Sequence, residues 1–348
     1  MNMPIALRDH DFLLPHDHAL FACCHASSLV KLPQGDLLCA YFGGSGEGRQ
    51  DTAIWLSRRK GGTWQMPRPL FAEVGLPHWN PVLHAQAGQT WIFYKVGQTT
   101  QDWTSRVARS DDGGRTWSDP QPLVPGDALP RGPMKNKLIV LTSGEWLAPG
   151  SMELGDAWDA FVDLSADFGR TWQRILIPFE HGTGAGVRGA VWDGFKANAM
   201  WQNDLDAVFK WDGIIQPALW ESAPGRVHAL LRSTRGRIYR SDSADLGRTW
   251  CPAYPTPLPN NNCGIDLARL PTGRLVLAYN PIDSNWGPRS PLSLACSDDN
   301  GATWSSPLHV ETNAGEYSYP AAVAENDQVY LTYTWNRQNI VFRSMVVN

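Results

Sequence analysis

The chain has 348 residues, 43% hydrophobic and 18% charged, enough for one large or two average folded domains. A net charge of −4 leaves no basic footprint for nucleic acid, and no apolar run approaches the roughly 20 residues that cross a membrane as a helix. The opening MNMPIALRDHDFLLPHDHAL lacks a basic start, an apolar core and a small-residue cleavage site, so a cytoplasmic location is expected.

Taken in chain order, the sequence repeats itself. HASSLV at 25–30 opens a first strand, and LVKLPQGDLLCAYF holds two apolar stretches around a Gly-Asp turn, a hairpin signature. SRRKGGTW follows at 57–64, SDDGGRTW at 110–117, SADFGRTW at 165–172, SADLGRTW at 243–250 and SDDNGATW at 297–304. The serines of these copies are spaced by 53, 55, 78 and 54 residues, the period of a four-stranded propeller blade. PALWESAPGRVHALLRST, LARLPTGRLVLAYN and AAVAENDQVYLTYT repeat the hairpin form between the copies. Long amphipathic patterns are nearly absent, and the 26 prolines and 32 glycines are spread through the chain.

The repeated octapeptide has a physical reading. Ser and Asp side chains bond nearby backbone N–H groups and fix a tight turn. Gly supplies a backbone conformation other residues resist, and Trp packs its large face. Each copy should lock the corner between a blade's third and fourth strands. The copy at 57–64 has Arg59 in place of Asp and should be weaker. Five corners and a closing unit predict a six-bladed, all-β propeller of four-stranded antiparallel blades, one domain spanning 1–348. The segment from about Tyr317 onward should join the N-terminal segment to close the ring. The long interval carries about 24 extra residues, placed as an inserted loop at 180–213.

Inner strands of a propeller face its channel. Four of their starts share a Pro mark: HWNPVL, RGPMKN, IQPAL and YSYPAA. Together with HASSLV they offer His25, His78, Asn80, Arg131, Lys135, Gln216, Tyr317 and Tyr319, a polar, partly cationic set suited to an anionic ligand with hydroxyls. Trp158, Trp192 and Trp286 are candidates for stacking on a sugar. The six cysteines show no metal spacing and read as reduced, mostly buried thiols. With no HExxH and no EF-hand-like loop, no metal or cofactor is expected.

Corners, strand pattern and central polar set together resemble the sialidase superfamily, in its bacterial Asp-box branch. The resemblance implies arginines that hold a substrate carboxylate, matched by Arg232 in VHALLRST and Arg289 in NPIDSNWGPRSPLSLACSDD. His25 stands where the family's first arginine lies. The nucleophilic tyrosine, in a Tyr-Ser context, is matched by Tyr317 in GEYSYP, and its partner glutamate by Gln216. Asp51 in GEGRQDTAIW is nearest to the acid/base aspartate, with Glu47 behind it. Because Gln cannot take a proton from a phenol, Glu316 or Glu221 would have to serve. The implied activity is release of a terminal acidic sugar from an oligosaccharide or glycoconjugate. Lyase chemistry on a uronic acid, with a histidine or Tyr317 as base, and non-catalytic sugar binding are the alternatives.

Overall fold

The computed structural model describes residues 5–182 and 209–348. The described residues contain strands, turns and loops and no helix. Strand β1 (Ile5–Phe12) comes first. Then follow β2 (Cys23–Lys31), β3 (Leu37–Gly44), β4 (Ala53–Lys60), β5 (Thr63–Trp64) and β6 (Arg68–Phe71), which form one antiparallel sheet. β7 (His78–Gln86), β8 (Gln89–Val96), β9 (Thr104–Ser110) and β10 (Gln121–Pro122) form the next.

β11 (Ile139–Val140), β12 (Trp146–Leu154), β13 (Ala157–Ser165) and β14 (Gln173–Leu176) make an antiparallel meander. So do β15 (Asp212–Ala223), β16 (Arg226–Ser233), β17 (Arg237–Ser243) and β18 (Tyr254–Pro259). β19 (Asp266–Arg269), β20 (Leu275–Tyr279), β21 (Leu292–Ser297) and β22 (Leu308–Glu311) form a further sheet. The last contains β23 (Tyr317–Glu325), β24 (Gln328–Trp335), β25 (Asn339–Val347) and, as its outer strand, β1. The chain ends are thus stitched together, Ile5 opposite Val347 and Phe12 opposite Val341, as the closing unit requires.

The arrangement is a β-propeller, but the expectation of six separate sheets needs correction. Hydrogen bonding gives five, because β13 and β15 pair in parallel over Ala157–Trp158 and Asp212–Gly213 and fuse two meanders into one eight-stranded sheet. Gly213 permits this: it has a φ of +150°, and a Cβ there would sit 2.0 Å from the Trp158 carbonyl oxygen. Of the expected inserted loop, 183–208 lie outside the described residues, and Trp192 with them.

The corners fold as their chemistry demands. Ser110 Oγ accepts from Gly114 N at 2.7 Å and donates to Asp112 at 2.8 Å, while Asp112 accepts from Thr116 N at 2.9 Å and Thr116 Oγ1 at 2.7 Å. The copies starting at Ser165, Ser243 and Ser297 repeat this pattern. In the 57–64 copy Arg59 turns away to Asp9 and Asp11 instead. Corner tryptophans pack on apolar clusters that join their own sheet to the preceding one: Trp117 in a cluster with Leu38 and Phe42 as well as Ile92, Trp250 in one with Leu147 and Val162 as well as Ala229. Gly114 (φ +82°) lies so close to that neighbour that a Cβ would come within 2.7 Å of Leu38. The corner is therefore a joint between blades as well as a turn.

The core occupies the clefts between sheets. Leu38, Phe42, Ile54, Ile92 and Tyr94 fill one, and Leu230, Ile238, Leu267, Leu277 and Ala295 another. Complete burial of each large side chain contributes about 1.5–3 kcal/mol. Cys24, Cys39, Cys263 and Cys296 are buried thiols.

One backbone device recurs around the ring. Ala26, Asn80, Lys135, Gln216, Asn262 and Tyr319 all have positive φ, between 39° and 62°. At four of these the pairing register slips, between His25/Ser28, Trp79/Val82, Ile215/Ala218 and Ser318/Ala321. Such a bulge breaks strand alternation and re-aims one side chain. Three of the four Pro marks in the sequence are the trace of this bulge: Pro81, Pro217 and Pro320 each follow a left-handed residue, whereas Pro133 lies two residues before the left-handed Lys135.

Candidate functional site

Three of those re-aimed side chains, Asn80, Gln216 and Tyr319, line one pocket at the ring's centre. The same pocket receives Arg232 from the end of β16, Arg289 from the loop before β21 and Arg337 from the β24–β25 turn. All three guanidiniums are buried. Residues more than a hundred positions apart thus converge, as expected for Arg232 and Arg289. Arg337 was not anticipated.

Arg232 donates from Nε to Asn262 at 3.0 Å, and from Nη1 to the Tyr319 hydroxyl at 2.8 Å and to Gln216 Oε1 at 3.1 Å. Gln216 therefore orients Arg232, and no described residue bonds Arg232 Nη2. One carboxylate fixes the other two cations. Glu316 accepts from Arg289 Nη1 at 2.6 Å on one oxygen and from Arg337 Nε at 2.9 Å on the other. Arg337 also pairs with Glu47. Burial alone would raise the Glu316 pKa, but Arg337 and Arg289 outweigh it and hold the carboxyl below its ordinary value. The Tyr319 ring lies between two of the cations, 5.7 Å from Arg232 and 5.8 Å from Arg289.

Glu153, near the end of β12, is the notable acid of the pocket. Burial is the main cause that pushes its carboxyl up to about 7, with Glu47 adding and Arg232 and Thr100 opposing. Near neutrality it is therefore divided between proton donor and acceptor. Trp158 and Trp286 stand edge to face at 5.9 Å in the wall, with Arg232 5.5 Å from the Trp158 ring. The Trp103 indole N–H, buried in the same wall, has no partner among the described residues.

Several expected residues sit elsewhere. Tyr317 is buried among Leu292, Val310 and Tyr333, and its hydroxyl faces Gly315. Two residues apart on a regular strand, Tyr317 and Tyr319 would share a face; the left-handed Tyr319 and the bulge separate them. Burial and Glu311 raise the Tyr317 pKa. Asp51 is exposed and closes its own loop, accepting from Ser45 N at 3.0 Å and Ser45 Oγ at 2.8 Å. Arg131 is bound to Asp127, Asp163 and the Trp172 carbonyl. His78 stacks on Tyr94 and contacts the Leu76 carbonyl, away from the pocket. Lys135 is a bolt below the pocket, donating to the carbonyls of Ile265 and Pro320, both at 2.6 Å. Burial is the main cause that pulls its pKa down to about 7. Glu221 bonds Thr142 on a different surface.

His25 lies behind the Tyr319 ring, centroids 4.2 Å apart, with Nδ1 on Thr334 Oγ1 at 2.8 Å. Burial, then Arg337, Arg289, Lys135 and Arg232, drive its pKa well below the ordinary value, so it is neutral and supplies no third cation. Arg337 supplies it instead. Its sequence signal, Trp-Asn-Arg-Gln between two strands, indicates only a turn. Glu153 carries no signal beyond its place before the Leu-Gly-Asp hairpin.

The chain matches the family model of a BNR repeat-like domain over residues 35–331. It belongs to that family. Among solved structures, this sialidase-like BNR-repeat chain resembles a sialidase named Hadza microbial sialidase Hz136, with a TM-score of 0.75 and 19% identity, covering 97% of this chain and 68% of that one. A protein of unknown function from Dyadobacter fermentans matches with a TM-score of 0.71 and 16% identity, over 99% of this chain and 100% of that one. The Trypanosoma rangeli sialidase in complex with the inhibitor DANA matches with a TM-score of 0.67 and 13% identity, over 93% of this chain and 55% of that one. At such identities the likeness carries the fold. Curated proteins searched by sequence gave no match.

Proposed function

We propose that this BNR-repeat chain is a glycosidase that releases a terminal acidic sugar. The observation that carries the reading is the convergence of Arg232, Arg289 and Arg337 on one pocket around Tyr319, with Glu153 in the same wall. The guanidiniums grip a carboxylate through charge-assisted bonds. Tyr319, in place of Tyr317, attacks the anomeric carbon as its phenolic proton passes to solvent and the glycosidic C–O bond breaks, and it recovers a proton when water displaces it; a neutral nucleophile is not repelled by the bound carboxylate. Glu153, in place of Asp51, donates its proton to the departing glycosidic oxygen, and its carboxylate then takes a proton from the water that frees the sugar. Trp158 and Trp286 stack on apolar sugar faces. In this reading the fused eight-stranded sheet counts as two blades, so the ring has six, one for each of the left-handed residues that lie in or just before an inner strand.

Fluorogenic sialosides and a panel of glycuronides test the proposal, with wild-type, Tyr319→Phe and Glu153→Gln proteins. Turnover lost in both variants is the expected result. Binding of an acidic sugar without turnover would make the chain a carbohydrate-binding propeller, and neither binding nor turnover would end the reading.

One observation favours uronate lyase chemistry as a second reading: neutral His25 backs Tyr319, and Gln216 occupies the expected base position. There the arginines would acidify the C–H beside the carboxylate, His25 or the Tyr319 phenolate would take the proton, the C–O bond to the glycosidic oxygen would break, and Glu153 would protonate that oxygen as it departs. The product would be an unsaturated sugar absorbing in the ultraviolet; saturated products throughout would dismiss it.

A further inference from the structure

A second hollow lies at the far ends of the inner strands whose near ends carry Gln216 and Tyr319. Along β15, Gln216 and Ser222 are about 20 Å apart at ordinary strand rise. Leu219, Ala268 and Val323 give this hollow an apolar lining, with Ser222 and Arg269 also in its wall.

Beside it stands a hydrogen-bonded chain that the sugar site does not use. Ser222 Oγ lies 2.7 Å from His228 Nε2, and His228 Nδ1 lies 2.5 Å from an Asp242 carboxylate oxygen. The neighbours settle which nitrogen carries the hydrogen. Trp220 Nε1, which can only donate, bonds Asn300 Oδ1 at 2.7 Å and so fixes that amide's orientation. Asn300 Nδ2 then faces His228 Nε2 at 3.1 Å and donates to it. Nε2 is therefore the acceptor, and Nδ1 holds the hydrogen toward Asp242. Arg240 Nη2 also approaches Nδ1, at 3.1 Å, but the shorter Asp242 contact claims the hydrogen. The imidazole stacks on Trp220 at 4.9 Å. Asp242 accepts further bonds from Arg240 Nε at 2.9 Å and the Tyr254 hydroxyl at 2.6 Å, which hold it ionised. Arg269 Nη2 donates to the Ser222 carbonyl at 3.3 Å, bringing a cation beside the serine.

We propose that Ser222, His228 and Asp242 form a second reactive site that hydrolyses carboxylic esters with small apolar acyl groups. Ser222 Oγ attacks the carbonyl carbon as His228 Nε2 takes the hydroxyl proton. The bond from carbonyl carbon to alcohol oxygen breaks, and the imidazolium gives its proton to the departing oxygen. Water, deprotonated by the same Nε2, then attacks the acyl-serine; carboxylic acid leaves and the serine regains its proton. Asp242 is a positioning residue that keeps the productive tautomer. Arg269 faces the negative charge that develops on the carbonyl oxygen, and the apolar hollow takes the acyl group.

The test uses the full chain with p-nitrophenyl butyrate and a fluorophosphonate probe. The expected result is probe attached to the peptide holding Ser222, with ester turnover lowered about 100-fold or more in Ser222→Ala and in His228→Gln. Asp242→Asn should change the pH profile of turnover as well as its rate. No label on Ser222, or turnover that survives Ser222→Ala, overturns the proposal. If the wild-type protein neither labels nor turns over while His228→Gln melts earlier, the cluster is a brace between neighbouring sheets and the proposal fails.

Discussion

Replacing Glu153 with Gln removes one proton site from the sugar pocket. An unperturbed glutamate titrates at 4.5, whereas Glu153 is raised to about 7, chiefly by burial. Between those values the unfolded chain has lost the proton and the folded chain still holds it. The unfolding free energy therefore falls as pH rises: this contribution is whole below about 4.5 and gone above about 7. At ~1.36 kcal/mol per pH unit, the loss is roughly 3 kcal/mol. The Gln variant cannot ionise and lacks the term. Urea unfolding of both proteins at about pH 4.5 and about pH 8 should show the variant gaining roughly 3 kcal/mol on wild type across that interval. Taking this difference cancels the titration of every other group. A gap unchanged by pH would refute the elevated pKa and, with it, the assignment of Glu153 as proton donor.

Other perturbations separate neighbouring roles. Arg232→Lys loses the fork that bonds Asn262, Gln216 and Tyr319, and should raise KM for an acidic sugar about 10- to 100-fold in steady-state kinetics. Tyr319→Phe should abolish glycoside turnover, whereas Tyr317→Phe should leave kcat within about two-fold, since Tyr317 lies in the core. Ser110→Ala breaks a complete corner and should cost about 1–2 kcal/mol in denaturant unfolding. Ser57→Ala, which loses a 3.2 Å contact with Tyr41, should cost about 0.5 kcal/mol. Glu316→Gln takes the shared charge from Arg289 and Arg337 and should destabilise the fold by about 3–5 kcal/mol, read by the same unfolding assay.

What the sequence determined by itself was whatever is written locally. Ser110, Asp112, Gly114 and Thr116 close the corner through side-chain bonds made within the octapeptide, so four good copies announced four corners and their spacing announced blades. The strand-start prolines marked where inner strands bend toward the axis, and ring closure brought Arg232 and Arg289 to one pocket as anticipated.

Tertiary structure decided which side chains the bends select. Tyr317 and Tyr319 are indistinguishable by alternation, and one left-handed residue sends the second to the pocket and leaves the first in the core. Arg337 and Glu153 look like ordinary turn and strand-end residues until the ring sets them beside partners far away in the chain, Glu316 and Glu47 for one and Arg232 for the other. The fusion of two meanders likewise depends on Gly213 meeting Trp158 at close range. Corner chemistry is short-range and readable, whereas burial, charge pairing and pKa arise from neighbours that only the closed ring supplies.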